Sequence, residues 1–198
     1  YTMIRRIVLI SLSVILLTVT GFSQKARSKH SFALGTTEFL LDDSPFQIIS
    51  GEMHPSRIPA DYWQHRIRMA KAMGCNTISV YIMWNYHEQE EGVFDFETGN
   101  RNLSRFFKLV EEEGLWLIVR PGPYVCAEWE LGGIPPYLLR IPDIKLRCMD
   151  PRYMEAAERY IEKLAEVIKP FQVTAGGPLL MVQIENEYGS FGNDRNYL

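Results

Sequence analysis

A change of hydrophobic period, repeated along the chain, constrains its fold more than any other feature. Residues 46–54, 77–84, 115–120 and 179–184 are short runs rich in apolar, β-branched and aromatic side chains and read as strands. Between them, apolar residues recur every three or four positions: Trp63, Ile67, Ala70 and Met73, then Leu103, Phe106, Phe107 and Val110, then Tyr153, Ala157, Tyr160, Ile161, Leu164 and Ile168. That spacing lays one apolar stripe along a helix. The ends carry matching signals. Asp61 is placed to cap the first helix and Gly74 to end it, Gly114 closes the second, and Asp150-Pro151 opens a third that Pro170 stops. Strand and helix in alternation predict βαβ units, and therefore a parallel sheet buried on both faces.

Two architectures use such units, the doubly wound sheet and the β/α barrel. A dinucleotide-binding sheet wants Gly-x-Gly-x-x-Gly directly after its first strand, and Gly51-Glu52-Met53-His54-Pro55 does not supply it. Polar and aromatic residues instead gather at the carboxyl end of every run: Glu52 and His54, Trp84 to Glu88, Arg120 to Glu130, and Glu185 to Tyr188. In a barrel those ends form the active-site face. Four units are half of the about eight that close a barrel. The expected fold is thus α/β, the amino-terminal half of a TIM-type (β/α)8 barrel. The expected organisation is a leader over 1–23, a polar lead-in segment over 24–45 whose one apolar stretch is Phe39-Leu40-Leu41, and a partial barrel over 46–198, truncated on its carboxyl side.

The leader is expected from Arg5-Arg6, the apolar run 7–20 and the small residues around Gly21-Phe22-Ser23, a signal-peptide pattern with Met3 as its start. It predicts export to the periplasm or outside the cell; an uncleaved membrane anchor is the alternative. With 21 Lys+Arg against 24 Asp+Glu the chain has no basic block to neutralise phosphates, which argues against nucleic acid. Cys75, Cys126 and Cys148 lack paired spacing, so neither a disulfide framework nor a zinc site is indicated. Glu52 with His54 and His87 with Glu88 match no metal spacing, and no metal or cofactor is expected.

The chemistry is expected in QIENEYG, residues 183–189, at the end of an apolar strand. Two carboxylates this close repel and cost desolvation unless they have a task. Glycoside hydrolysis supplies one, because it needs a carboxyl group kept protonated by partial burial as a proton donor. Period-two alternation puts Glu185 and Glu187 on one side of the strand with Glu187 nearer the open end, which marks Glu187 as the acid. Asn186 points elsewhere unless a bulge turns it inward. The alternative is that both glutamates serve structural ion pairs. The loop 120–133 adds Glu128 and Glu130 with Tyr124 and Trp129, suited to sugar hydroxyls and to the apolar face of a pyranose, or else to loop packing. Residues 81–92 add Tyr81, Trp84, His87 and Glu88, of which the histidine reads best as a hydrogen-bonded structural residue.

GEMHPSRIP, YIMWNYHE, RPGPYVCAEWELGGIPPYLL and QIENEYG together resemble glycoside hydrolase family 35, the β-galactosidase family, over about residues 46–189. The resemblance implies a β/α barrel that hydrolyses terminal β-linked galactose with retention of configuration. It implies Glu187 as general acid/base, Asn186 near the sugar 2-hydroxyl, Tyr81 lining the galactose pocket, and Ala127 and Glu128 holding sugar hydroxyls. The family's nucleophile is a glutamate on a later strand, beyond Leu198. Two positions depart from the pattern, Pro55 where an aromatic is common and Gln89 where proline is common; both bear on substrate detail. A barrel glycosidase for another sugar and a non-catalytic carbohydrate-binding protein are the alternatives. Residues 1–198 alone are expected neither to fold stably nor to turn over substrate, because a retaining site needs two carboxyl groups roughly 5 to 5.5 Å apart.

Overall fold

The computed structural model describes residues 28–198; the expected signal peptide, its start and its cleavage region lie outside them. A small antiparallel sheet comes first, β1 (Phe32–Leu34), β2 (Phe39–Leu41) and β3 (Ser44–Phe46). The periodic part follows: β4 (Ser50–Glu52), α1 (Trp63–Ala72), β5 (Thr77–Tyr81), α2 (Trp84–His87), a hairpin of β6 (Glu88–Glu90) and β7 (Val93–Phe94), then α3 (Leu103–Glu112) and β8 (Trp116–Gly122). The chain continues through α4 (Pro151–Ile168), β9 (Leu179–Ile184) and the single turn α5 (Tyr188–Phe191).

β4, β5, β8 and β9 form one parallel sheet in that order. Spatial order therefore follows chain order without reversal. A doubly wound sheet reverses at its switch point, whereas right-handed crossovers that always step the same way keep their helices on one face, as in a barrel wall. Alternate strand residues sort accordingly. Ile78, Val80, Leu117 and Val119 are fully buried beneath Trp63, Ile67, Phe106, Phe107, Val110, Tyr160 and Leu164. On the other face Ser50, Glu52, Ser79, Ile118, Arg120, Met181 and Gln183 line an open trough. Burial of each large apolar side chain contributes about 1.5–3 kcal/mol. Trp84 stacks on Tyr160 at 5.0 Å, and the Tyr160 hydroxyl donates to the carbonyls of Ile82 (3.3 Å) and Pro121 (3.1 Å), tying α4 to the carboxyl ends of β5 and β8.

Several local expectations need correction. The run 46–54 is not one strand: β3 ends at Phe46 and β4 begins at Ser50. The lead-in segment is a folded sheet, because Asp42 and Asp43 (φ 51° and 61°) form a two-residue turn in which Leu41 pairs Ser44. This sheet lies near the amino end of β8, where His30 and Phe46 pack edge-on against Trp116, opposite the strand ends that carry the motifs. Asp61 does not cap α1; it sits in a one-turn 3-10 segment (Ala60–Tyr62), and the N-cap is Tyr62 without a side-chain bond. Met73 is outside the stripe, 80% exposed at the C-cap. The strand 77–84 stops at Tyr81 and coils into α2. Asp150 caps α4 as expected, accepting from the Arg152 amide at 3.1 Å.

His87 ends α2 as a structural residue. Its ring stacks on Phe96 at 4.8 Å and its Nδ1–H donates to the Asp95 carbonyl at 2.8 Å. Burial pushes its pKa from 6.5 down to about 4, against the opposing pull of that carbonyl. Between those pH values the unfolded chain binds a proton that the folded chain refuses, so stability falls as pH drops from about 6.5 toward 4. Urea unfolding of the enzyme expressed from its full coding sequence is expected to register a loss of about 3 kcal/mol from this residue across this window. In His87→Asn, which can still reach the carbonyl but does not titrate, that part of the slope disappears.

Candidate functional site

The last ladder bond of β9 runs from the Glu185 amide to the Gly122 carbonyl at 2.8 Å, and there the strand ends. Glu185 (φ 60°) and Glu187 (φ 50°) are both left-handed, so period-two alternation does not carry past Ile184 and the two carboxylates do not share a side. Their fates separate. Glu185 is 3% exposed; its Oε2 accepts from Arg147 Nη2 at 2.7 Å and Nε at 3.1 Å, and its Oε1 accepts from the Tyr197 hydroxyl at 2.8 Å. Glu187 is exposed at the head of α5, and its carboxylate accepts no hydrogen bond among the described residues. The ion-pair alternative thus describes Glu185, and Glu187 remains open to a ligand. Partial burial, the expected means of keeping Glu187 protonated, is not provided by the described residues.

Asn186, by contrast, is turned inward at 6% exposure. Its Oδ1 accepts from the Tyr81 hydroxyl at 3.2 Å, Arg120 Nη2 at 3.0 Å and Gln183 Nε2 at 3.4 Å. With the carbonyl oxygen so occupied, the amide NH2 is the group left for a ligand oxygen; it has no acceptor among the described residues. Burial raises the Tyr81 pKa, opposed by Arg120 and assisted by Glu52, Cys126 and Glu187, so its hydroxyl stays a donor near neutral pH. The Arg120 guanidinium carbon lies over the Tyr81 ring, 3.9 Å from its centre, and Arg120 also donates to Glu52 Oε2 at 2.6 Å and Gln183 Oε1 at 3.0 Å. Glu52 Oε1 reaches His54 Nε2 at 3.1 Å. One polar network therefore joins the carboxyl ends of β4, β5, β8 and β9.

The loop after β8 brings Ala127 to the same place. Tyr81, Met83, Val125 and Ala127 form a small buried cluster flanked by Tyr86 and Trp129. Cys126, Ala127 and Glu128 are left-handed in succession (φ 58°, 54° and 46°), and Arg57 Nη2 donates to the carbonyls of Ala127 (2.8 Å) and Glu128 (2.7 Å). Glycine is required at 132, where φ is +57° and a Cβ would meet the Tyr124 ring at 2.0 Å. The Glu128 side chain is exposed and lines a groove with Arg57, Asn85, Tyr86, Gln89 and Trp129. Glu130 is exposed, and the Trp129 indole N–H donates to Asn85 Oδ1 at 2.8 Å. Glu88 is not at the site. It is fully buried, accepting from the Trp84 indole, the Gly92 amide at 2.7 Å and the Tyr137 hydroxyl at 3.0 Å. Cys75, Cys126 and Cys148 are free thiols, and among the described residues no three His, Cys, Asp or Glu side chains are grouped to hold a metal ion.

The sequence profile described as Glycosyl hydrolases family 35 matches residues 38–198. The chain belongs to this family. Among its relatives, a β-galactosidase of Xanthomonas manihotis is 43% identical over 168 residues, covering 85% of this chain and 28% of that protein. A β-galactosidase of Macaca fascicularis is 42% identical over 195 residues, covering 98% of this chain and 28% of that one. Beta-galactosidase-1-like protein 2 of Homo sapiens is 45% identical over 160 residues, covering 81% and 25%. The chain spans about a quarter of the length of the curated relatives it matches. Two solved structures share the fold: the exo-β-1,4-mannosidase Op5Man5 of Opitutaceae bacterium strain TAV5 (TM-score 0.56, 21% identity, 75% of this chain and 26% of that one) and a β-galactosidase of Marinomonas ef1 (0.55, 15%, 74% and 22%).

In this family 35 chain, the candidate residues Tyr81, Ala127, Glu128, Asn186 and Glu187 all lie at the carboxyl ends of the parallel strands or in the loop between. Sequence reasoning passed over the groups that hold them. Arg120 was legible only as the last charge before Pro121, and Arg57 sits inside the GEMHPSRIP motif without any spacing signal toward Ala127. Arg147, 38 residues from Glu185, carried no local signal.

Proposed function

We propose that this family 35 chain carries part of the catalytic barrel of an exported retaining β-galactosidase that releases terminal β-linked galactose from oligosaccharides or glycans. One observation supports this best: of two neighbouring carboxylates, one is consumed by a buried arginine while Glu187 stands open beside Asn186 and Tyr81. In the proposed mechanism Glu187 protonates the glycosidic oxygen. A second carboxylate, contributed by a later part of the barrel, attacks the anomeric carbon and forms the covalent glycosyl-enzyme; Glu187 then takes a proton from the water that releases galactose. Tyr81, Asn186, Ala127 and Glu128 hold the sugar hydroxyls. The enzyme expressed from its full coding sequence is expected to release β-galactose as first product by NMR; release of the α-anomer would overturn the retaining reading. Export predicts a mature amino terminus at Gln24, which terminal sequencing of the secreted protein checks, and an intact leader would refute cleavage.

A further inference from the structure

We infer that Arg147 is the positioning residue for the acid/base Glu187; the inference rests on the acid role proposed above. The Glu187 side chain makes no hydrogen bond or ion pair among the described residues to set its place, so its position follows its backbone, which is left-handed at 185 and 187. Arg147 grips that backbone on both sides. Its Nη2 donates to the Asn186 carbonyl at 2.6 Å, immediately before Glu187, and its Nη1 to the Phe191 carbonyl at 3.2 Å, four residues after it. The same guanidinium holds Glu185 through Nε and Nη2, and Glu185 Oε2 accepts from the Asn186 amide at 3.1 Å, which closes the loop on itself. The guanidinium carbon lies 4.0 Å from the Tyr124 ring centre and 5.2 Å from that of Tyr188, whose hydroxyl donates back to the Arg147 carbonyl at 2.9 Å.

Arg147 is 9% exposed and uses all three of its nitrogens. Only a planar fork can meet a carboxylate and two carbonyls in different directions at once; a lysine ammonium at this depth keeps the charge and loses the geometry. Buried pairs of this kind add little net stability over a well-packed apolar alternative. Their worth here is the fixed place of Glu187, since a misplacement of about 1 Å in a catalytic group can cost about 100-fold in rate.

The test compares Arg147→Lys, Glu185→Gln and Glu187→Gln in the enzyme expressed from its full coding sequence. The readout is kcat/KM on a disaccharide ending in β-galactose and on an aryl β-galactoside whose leaving group needs little protonation. Arg147→Lys is expected to lose about 10–100-fold on the disaccharide and under about 3-fold on the aryl substrate. Equal loss on both makes Arg147 merely structural and overturns the inference. Should Arg147→Lys fail to fold, Glu185→Gln decides: it keeps an acceptor oxygen and loosens the grip, and a loss confined to the disaccharide supports the inference, whereas equal loss or none overturns it. Glu187→Gln separates the two levels. If it discriminates between the substrates and neither of the other variants does, the acid role stands and the positioning inference falls; if it does not discriminate, both fall.

Discussion

Glu187→Gln, in the enzyme expressed from its full coding sequence, is expected to lower kcat/KM on disaccharides by about 10²–10⁴-fold, the usual worth of a positioned general acid. On an aryl galactoside with a good leaving group the same ratio is expected to fall by less than about tenfold. A sugar alkoxide cannot depart without a proton, whereas an activated phenolate leaves without help, and kcat/KM reports that departure step rather than the later attack by water. The amide cannot donate as an acid or accept a proton as a base, but it preserves the size of the side chain. Because Glu187 is exposed and accepts no hydrogen bond among the described residues, the substitution breaks no hydrogen bond or ion pair there, and the unfolding free energy is expected to change by less than about 0.5 kcal/mol. Loss of equal size on both substrates would remove Glu187 from the acid role.

Glu88→Ala is expected to have the opposite character, a large loss of stability by a residue that touches no substrate. Glu88 is fully buried and accepts from the Trp84 indole, the Gly92 amide and the Tyr137 hydroxyl, so alanine leaves two buried donors, the indole and the hydroxyl, without an acceptor, while the amide of exposed Gly92 can turn to water. Each buried orphan costs about 1–3 kcal/mol, which sets the expected loss at roughly 2 kcal/mol or more in urea unfolding of the enzyme expressed from its full coding sequence. Glu128→Ala serves as the contrast: its carboxylate is exposed in the loop beside Ala127, so its expected effect is a raised KM with an unfolding free energy changed by less than about 0.5 kcal/mol. A Glu88→Ala protein with an unchanged midpoint would refute the structural role.

These two glutamates show how far a motif can be read alone. YIMWNYHE and QIENEYG both carry carboxylates just after an apolar run, and by composition Glu88 and Glu187 are equally good candidates. Burial distinguishes them, and burial depends on Tyr137 and Gly92, which reach Glu88 from 49 and 4 residues away. Within QIENEYG the division was likewise invisible. Alternation along a strand places Glu185 and Glu187 together only while the strand lasts, and two left-handed residues after Ile184 break it.

What the sequence determined by itself is what local interactions decide. The bounds of α4 follow from an Asp-Pro start and a following proline, β9 from the apolar run Leu179 to Val182 that opens it, and the unreversed strand order is that of a βαβ series that always steps the same way. The four motifs were enough to place the chain among its relatives. The tertiary structure alone decided which carboxylates are free to act. Arg147 comes from the loop before α4 to take Glu185, Arg120 crosses between strands to hold Asn186 against Tyr81, and Arg57 reaches 70 residues along the chain to fix Ala127. Each of these arginines is long, polar and without periodicity in the sequence. Its partner is chosen by which strand ends the sheet brings together, and no local propensity records that choice.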